Sequence, residues 1–473
     1  MTRRGHALLS STITFSLFVA TFSVATSAQS ARSSASAADA MSASALARTW
    51  DAEHVSAPLP PLLTHRDVMA QIAKIRQEAP DLFSDEVIGE SVEARDLHHV
   101  WFGHGPTHIL LWSQMHGDEP TATAALFDVF DYVKRHRQEP SVKRLLDALT
   151  VHVVPMLNPD GAERYQRRNA QEIDINRDAL HLQTPEGRAL KALRDRLNPL
   201  LAFNLHNQNW RTSVSTPPKP ASISLLAVVH DAEKTTDERR ILAKKTIAVI
   251  RDAIEPMIPG QIGKYEDDFE VRAFGDNIAK WGTGVVLIET GAAAGAEPDK
   301  LLVRVNFVAI MTALDAMASG RVKGADPGRY DSLPFNESKL LHTLITNATI
   351  VQGTNVAPFT GDIGIAGTRV VRRDGPNGER RLALAARIDD IGDLRTYGAL
   401  ETIDGTGLTV TPLFDDHARE NSTIRLPDWS TWKGATIQIG QPGNLLVLKQ
   451  LPGNSGEYQV VRVIRLMNVQ RDR

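Results

Sequence analysis

The chain of 473 residues is 42% hydrophobic and 23% charged, with a formal net charge of −3. That is ordinary globular material with enough apolar matter for two or three domains, and its charge offers no basis for binding nucleic acid or an anionic membrane. There is no cysteine, which excludes disulfides, thiolate metal sites and a cysteine nucleophile; any metal must be held by histidine and carboxylate.

The N-terminus, "MTRRGH" followed by "ALLSSTITFSLFVATFSVATSAQS", pairs a basic start with a moderately apolar run ending in small residues at Ala28. Residues 1–28 therefore read as a secretory signal, and the mature protein is expected to be secreted or periplasmic, with no later segment crossing a bilayer. Residues 29–48 are rich in Ser and Ala and are expected to form a linker without stable structure. "THRDVMAQIAKIRQEAP" (64–80) predicts a helix with Thr64 near its N-cap and Pro80 beyond its end. "THILLWS" (107–113), "LTVHVVPML" (149–157), "LLAFNLH" (200–206) and "TGVVLIET" (283–290) predict short buried strands. Helical patterns occupy 120–137, 185–197, 234–255 and 298–318.

This alternation predicts an α/β domain over 49–325, a mostly parallel mixed sheet sandwiched by helices. Past "VKGADPGRYDS" the helical periodicity fades. Residues 331–473 predict a smaller all-β domain of short runs and Gly/Pro/Asn turns.

Each predicted strand of the first domain ends in a polar cluster: "QMHGDE", "NPDG", "HNQN" and "ETGA". Ligands of open α/β sheets bind beyond the carboxyl ends of the strands, so four such clusters point toward one site. His116, Glu119 and His206 together offer two imidazoles and a carboxylate, the ligand set of a catalytic zinc. Glu289 is available as the proton-accepting carboxylate, and the arginines of "RYQRRNAQEIDINRD" can stabilise a developing oxyanion. His104, His108, His136, His152, His181 and His230 show no comparable pairing and read as surface or structural residues.

These motifs, in this order over roughly 200 residues from "GESVEARDL" (89–97) through "ETGA", resemble the zinc carboxypeptidases. The resemblance implies one zinc per chain on His116 and Glu119 of "HGDE" and His206 of "NLHNQN". It implies that Asn176 and Arg177 of "DINRD" clamp a substrate carboxylate, that Asp174 orients His116, and that Glu289 is the general base. Arg167 falls at the oxyanion-stabilising position, with Arg168 one residue away as the alternative. Tyr265 lies at about the distance expected of the substrate-capping tyrosine, whereas Phe274, nearer the expected pocket, has no hydroxyl.

In the C-terminal part, "ITNATIVQGTNVAPFTGDIGIAGTRV", "ARIDDIGDL" and "IDGTGLTVTPLFDD" resemble the small β domain of amidohydrolases. The catalytic barrel of that family cannot fit between "TPLFDDHARENS" and "WSTWKGATIQIG". A β-rich accessory module without catalysis of its own is expected, with His417 an isolated histidine. The sequence thus implies a metallocarboxypeptidase acting on peptides or cell-wall peptides. A zinc deacylase or amidase on the same scaffold, and a non-catalytic binding protein, stay open as alternatives.

Overall fold

Apolar residues of Thr107–Ser113 (β3) alternate between two cores, because successive side chains of a strand point to opposite faces. Ile109 and Leu111 face one core, Leu110 and Trp112 the other. The computed structural model describes residues 41–56, 62–374, 379–453 and 456–465. The expected signal, 1–28, and the linker as far as residue 40 lie outside them.

The first sheet has eight strands: Phe83–Glu90 (β1), Asp96–Phe102 (β2), β3, Leu149–Val154 (β4), Leu201–Asn207 (β5), Ile223–Ala227 (β8), Ile262–Lys264 (β9) and Gly284–Thr290 (β10). Ser213–Val214 (β6) and Lys219–Pro220 (β7) form a separate two-stranded ribbon. The sheet order is β1-β2-β4-β3-β5-β10-β8-β9, with β4, β3, β5 and β10 mutually parallel. Chain order reverses across β3, since β4 lies on one side of it and β5 on the other. Such a switch point opens a crevice at the strands' carboxyl ends.

Helices cover both faces. On one side lie Ala43–Glu53, His65–Glu78, Thr121–Arg135, Glu238–Ile254 and Pro298–Ala318; on the other, Pro185–Leu197 and Phe274–Lys280. His65–Glu78 begins with a capping box between Thr64 and Asp67. Pro298–Ala318 is long and apolar enough to cross a bilayer, contrary to expectation for the region after the signal. It is apolar on all sides because it is packed in the core, where Val305, Phe307, Ile310 and Leu314 are buried.

The linker expectation also fails over its last residues. Ser42 caps the helix Ala43–Glu53, whose Leu46 and Trp50, four apart on one face, are buried. Trp50 Nε1 donates to Asp128 at 2.7 Å, and the backbone N–H groups of Val55 and Ser56 donate to the same carboxylate. Low sequence complexity concealed an i,i+4 apolar pair. The first core likewise runs past residue 325, because Tyr330 and Leu333 pack into it.

The second sheet holds Leu340–Ile350 (β11), Phe359–Asp374 (β12), Glu379–Gly392 (β13), Gly398–Asp404 (β14), Thr409–Pro412 (β15), Thr423–Arg425 (β16), Leu445–Gln450 (β17) and Glu457–Ile464 (β18). Its order is β13-β12-β11-β15-β17-β18-β16, with β14 paired to β11, around a core that includes Ile345, Ile363, Ile388 and Val447.

Candidate metal centre and substrate cleft

The site is built on the face of the sheet covered by Pro185–Leu197. Period-two alternation along β5 puts Asn204 and His206 on the face of Ala202, and along β10 it puts Glu289 on the face of Val285 and Leu287. Glu289 and His206 are directly paired across the parallel ladder. His116 arrives from the next strand over, in the turn after β3. That turn is packed so tightly that a Cβ on Gly117 would lie 2.0 Å from the backbone of Gly161 in "NPDG". Asp160 of the same motif is buried and accepts from Ser91 Oγ (2.8 Å), Glu93 N and Arg95, tying the β1–β2 turn to the first turn of the helix Pro159–Arg164 that follows β4.

His116, Glu119 and His206 offer donor atoms that all lie within 4.8 Å of one another, the one such set among the described residues. His116 Nδ1 is 2.8 Å from Glu119 Oε1, His206 Nδ1 is 2.7 Å from Glu119 Oε2, and the two ring nitrogens are 3.1 Å apart. Two nitrogens on a tetrahedral zinc with bonds of about 2.0–2.1 Å sit roughly 3.3 Å apart, so the donor set fits that ion. The electrostatics agree. Burial pulls His116 down, but Glu119 and Asp174 outweigh it and its pKa ends at about 9. Burial also opposes ionisation of Glu119, yet the two histidines hold it well below the usual carboxylate range. Burial holds His206 below its ordinary value. The three groups thus hold one ionised carboxylate in a buried pocket and draw a positive charge to its side.

The outer contacts orient the donors. His116 Nε2 lies 3.2 Å from Asp174 Oδ1, which leaves Nδ1 facing the centre. Asn207 N donates to Glu119 Oε2 at 3.1 Å. Arg167 reaches in: its Nε donates to Asp174 Oδ2 at 3.0 Å, and its Nη1 is 3.1 Å from His116 Nδ1. Arg168 turns away to the carbonyl of Glu172. Between the two arginines left open by the sequence, Arg167 is the one beside the donors.

Glu289 is buried, and desolvation together with the neighbouring Glu119 carboxylate pushes its pKa up. Beside it opens a cavity of about 200 Å³, lined among others by Arg167, Asn176, Arg177, Tyr265 and Glu289. Arg177 Nε is 3.3 Å from Glu270, and its Nη1 donates to Asn176 O at 2.7 Å. Asn176 Oδ1 accepts from Phe274 N at 2.9 Å, which leaves its NH2 group as a donor. Tyr265 faces the cavity, and the charge of Glu289 with burial pushes its hydroxyl up to about 12. Phe274 is fully buried in the core behind the site.

Several cavity residues were not anticipated. Asn204 is buried and its Oδ1 has no hydrogen-bond partner among the described residues; its position two before His206 on one strand was a readable signal. Glu270 comes from an irregular loop and Asp276 from the first turn of the short helix Phe274–Lys280, neither of which carried a signal. The histidine expectation needs correction at His108 and His152. His108 Nδ1 and His99 Nε2 each lie 2.9 Å from a ring nitrogen of His152, and His99 continues to Glu86 at 2.9 Å. The three sit on β3, β4 and β2, neighbours only in the sheet. His136 pairs with Glu53 and Glu139. His417 is exposed and belongs to no ligand set among the described residues.

Residues 68–212 match the family described as "Zinc carboxypeptidase". Mouse carboxypeptidase M is 32% identical over 108 residues, covering 19% of this chain and 24% of that protein. Carboxypeptidase SOL1 of Arabidopsis thaliana is 31% identical over 93 residues, covering 17% and 19%. The chain thus spans about a quarter or less of the length of these two relatives. A crystal structure of a metallo-carboxypeptidase from Burkholderia cenocepacia superposes with a TM-score of 0.43 at 17% identity, over 53% of this chain and 69% of that one. The family match spans the part of the chain that carries "HGDE", "NPDG", "DINRD" and "NLHN", and it ends before Glu289.

Proposed function

We propose that the chain, whose residues 68–212 match the zinc carboxypeptidase family, is a zinc-dependent exopeptidase removing the C-terminal residue of peptides. The observation that supports this most is one cleft holding both a His–Glu–His donor set with Glu289 beside it and a guanidinium aimed into the same space.

His116, Glu119 and His206 would hold one zinc per chain. When bound, that ion supplies a Lewis acid for the scissile carbonyl and lowers the pKa of the attacking water. Glu289 takes the proton of that water on its carboxylate and hands it to the leaving nitrogen. Arg167, tethered by Asp174, presents its guanidinium to the oxygen that becomes anionic. Arg177 and the NH2 of Asn176 bind the terminal carboxylate, fixing the residue to be released, and Tyr265 offers a hydroxyl that stays protonated at neutral pH. A cavity of about 200 Å³ suits one terminal residue better than a chain passing through. Export, proposed from the basic and apolar N-terminus, would make extracellular or cell-wall peptides the substrates.

Glu289→Gln is the test. It removes the base without touching a ligand, so turnover should fall by at least about three orders of magnitude, the upper range for loss of a general base, with full zinc content. A Glu289→Gln protein that retains turnover would remove Glu289 from this role.

A further inference from the structure

The stretch Asn207–Val214 begins at the last residue of β5, next to His206, and supplies Asn207, Gln208 and Asn209 to the cleft wall. On its inner side, Asn207 N holds Glu119, and Gln208 N donates to the carbonyl of Thr290, next to Glu289, at 2.9 Å. Many of its outer restraints come from the chain beyond residue 335. Asn336 Nδ2 donates to Gln208 Oε1 at 3.0 Å, while Ser224 Oγ donates to Asn336 Oδ1 at 2.8 Å and lies 2.9 Å from Gln208 Nε2. These three side chains close a ring of hydrogen bonds. Asn336 is seated in space that only a glycine leaves open, since a Cβ on Gly263 would lie 2.2 Å from its Oδ1. Ser213 and Glu337 then form an antiparallel bridge, and Leu340 N donates to Arg211 O at 3.1 Å. At the outer edge Arg211 grips Asp389 of β13 with two parallel bonds of 2.7 Å each.

Paired twin hydrogen bonds fix the direction of a guanidinium as well as its distance. Asp389 is a residue of the second sheet, so the rim of the cleft is clamped between two sheets. We infer that the C-terminal β module is a working part of the cleft: Asp389 and Asn336 are positioning residues that hold the Asn207–Arg211 rim against bound substrate. The inference rests on the proposed function only in taking this cleft as the substrate site. It gives the module a role in binding although none of its described residues is among those lining the cavity.

The test uses the full-length, zinc-loaded protein as wild type, as Asp389→Asn, as Asn336→Leu and as the charge-swapped pair Arg211→Asp with Asp389→Arg. Backbone amide exchange is read at residues 207–213 and, as an internal reference, at 202–205 of β5, together with zinc content, kcat and KM on a free-carboxylate peptide. In Asp389→Asn and Asn336→Leu, exchange should accelerate about tenfold or more in 207–213 and stay unchanged in β5, with zinc retained. KM should rise about five- to tenfold with kcat within about twofold, the signature of lost binding without lost chemistry. The charge-swapped pair should return both readouts to within about threefold of wild type. Unchanged exchange in both single variants overturns the inference. So does acceleration spread evenly over the first domain with parallel loss of zinc, which is general destabilisation. A wild type that turns over no peptide contradicts the proposed function, while the exchange comparison still decides the role of the clamp.

Discussion

Replacing Arg177 and its partner Glu270 should move substrate binding in opposite directions. Arg177 approaches Glu270 at 3.3 Å, and Glu270 is also held by two contacts of 3.1 Å from Arg272. A substrate carboxylate arriving at Arg177 gains a charge-assisted pair but meets a like charge. With the Arg177 side chain 36% exposed, the pair is discounted from its buried value to about 2–3 kcal/mol. Arg177→Ala should therefore lower kcat/KM on free-carboxylate peptides roughly 30- to 150-fold. Repulsion from Glu270 at a few ångström in a half-exposed site is about 1 kcal/mol, partly offset by Arg272. Glu270→Gln should therefore lower KM about two- to fivefold on the same peptides. Steady-state kinetics on a peptide and its C-terminal amide measure both, and neither substitution should affect the amide. Equal losses on acid and amide in Arg177→Ala, or a raised KM in Glu270→Gln, would refute the assignment of Arg177 to the carboxylate.

Metal analysis of His206→Ala should show strong loss of zinc, whereas Arg168→Ala, whose side chain turns away, should retain both zinc and activity. Arg167→Ala should keep the metal and lose kcat by roughly two to three orders of magnitude, the range for one oxyanion donor. Burial, with His99 and His108 alongside, pushes His152 down to about 3 from an ordinary value near 6.5. The unfolded chain thus binds one more proton between those values, so this contribution is whole above about pH 6.5 and is lost as pH falls toward 3. The slope is about 1.4 kcal/mol per pH unit. Urea midpoints of zinc-free protein between pH 7 and 5 should therefore fall less steeply in His152→Leu than in wild type, and an unchanged slope would refute the assignment.

The sequence was most readable where an apolar run met a definite stop. Thr107–Ser113, Pro185–Leu197 and Pro298–Ala318 have the bounds expected of them, each set by a cap, a proline or a polar cluster. The hairpin of β1 and β2 was hidden because "FSDEVIGE" and "DLHHVWF" mix charge and histidine into a half-exposed edge, and β8 and β9 because they are short. His116, Glu119, His206 and Glu289 were legible because strand ends that share one edge of a parallel sheet converge. The His99–His152–His108 ladder could not be read, since adjacency across β2, β4 and β3 depends on strand order rather than on spacing. The grip of Asp389 on Arg211 was invisible for the same reason: 178 positions separate the partners.

The central claim is that this cleft releases a C-terminal residue by recognising its free carboxylate. Mass spectrometry of the products from one peptide and its C-terminal amide, each incubated with zinc-loaded protein, tests it most directly. The account predicts release of single residues from the free acid and at least about 30-fold slower reaction of the amide, the loss expected when about 2–3 kcal/mol of carboxylate binding is absent. Equal cleavage of both, or cuts at internal bonds, would contradict it.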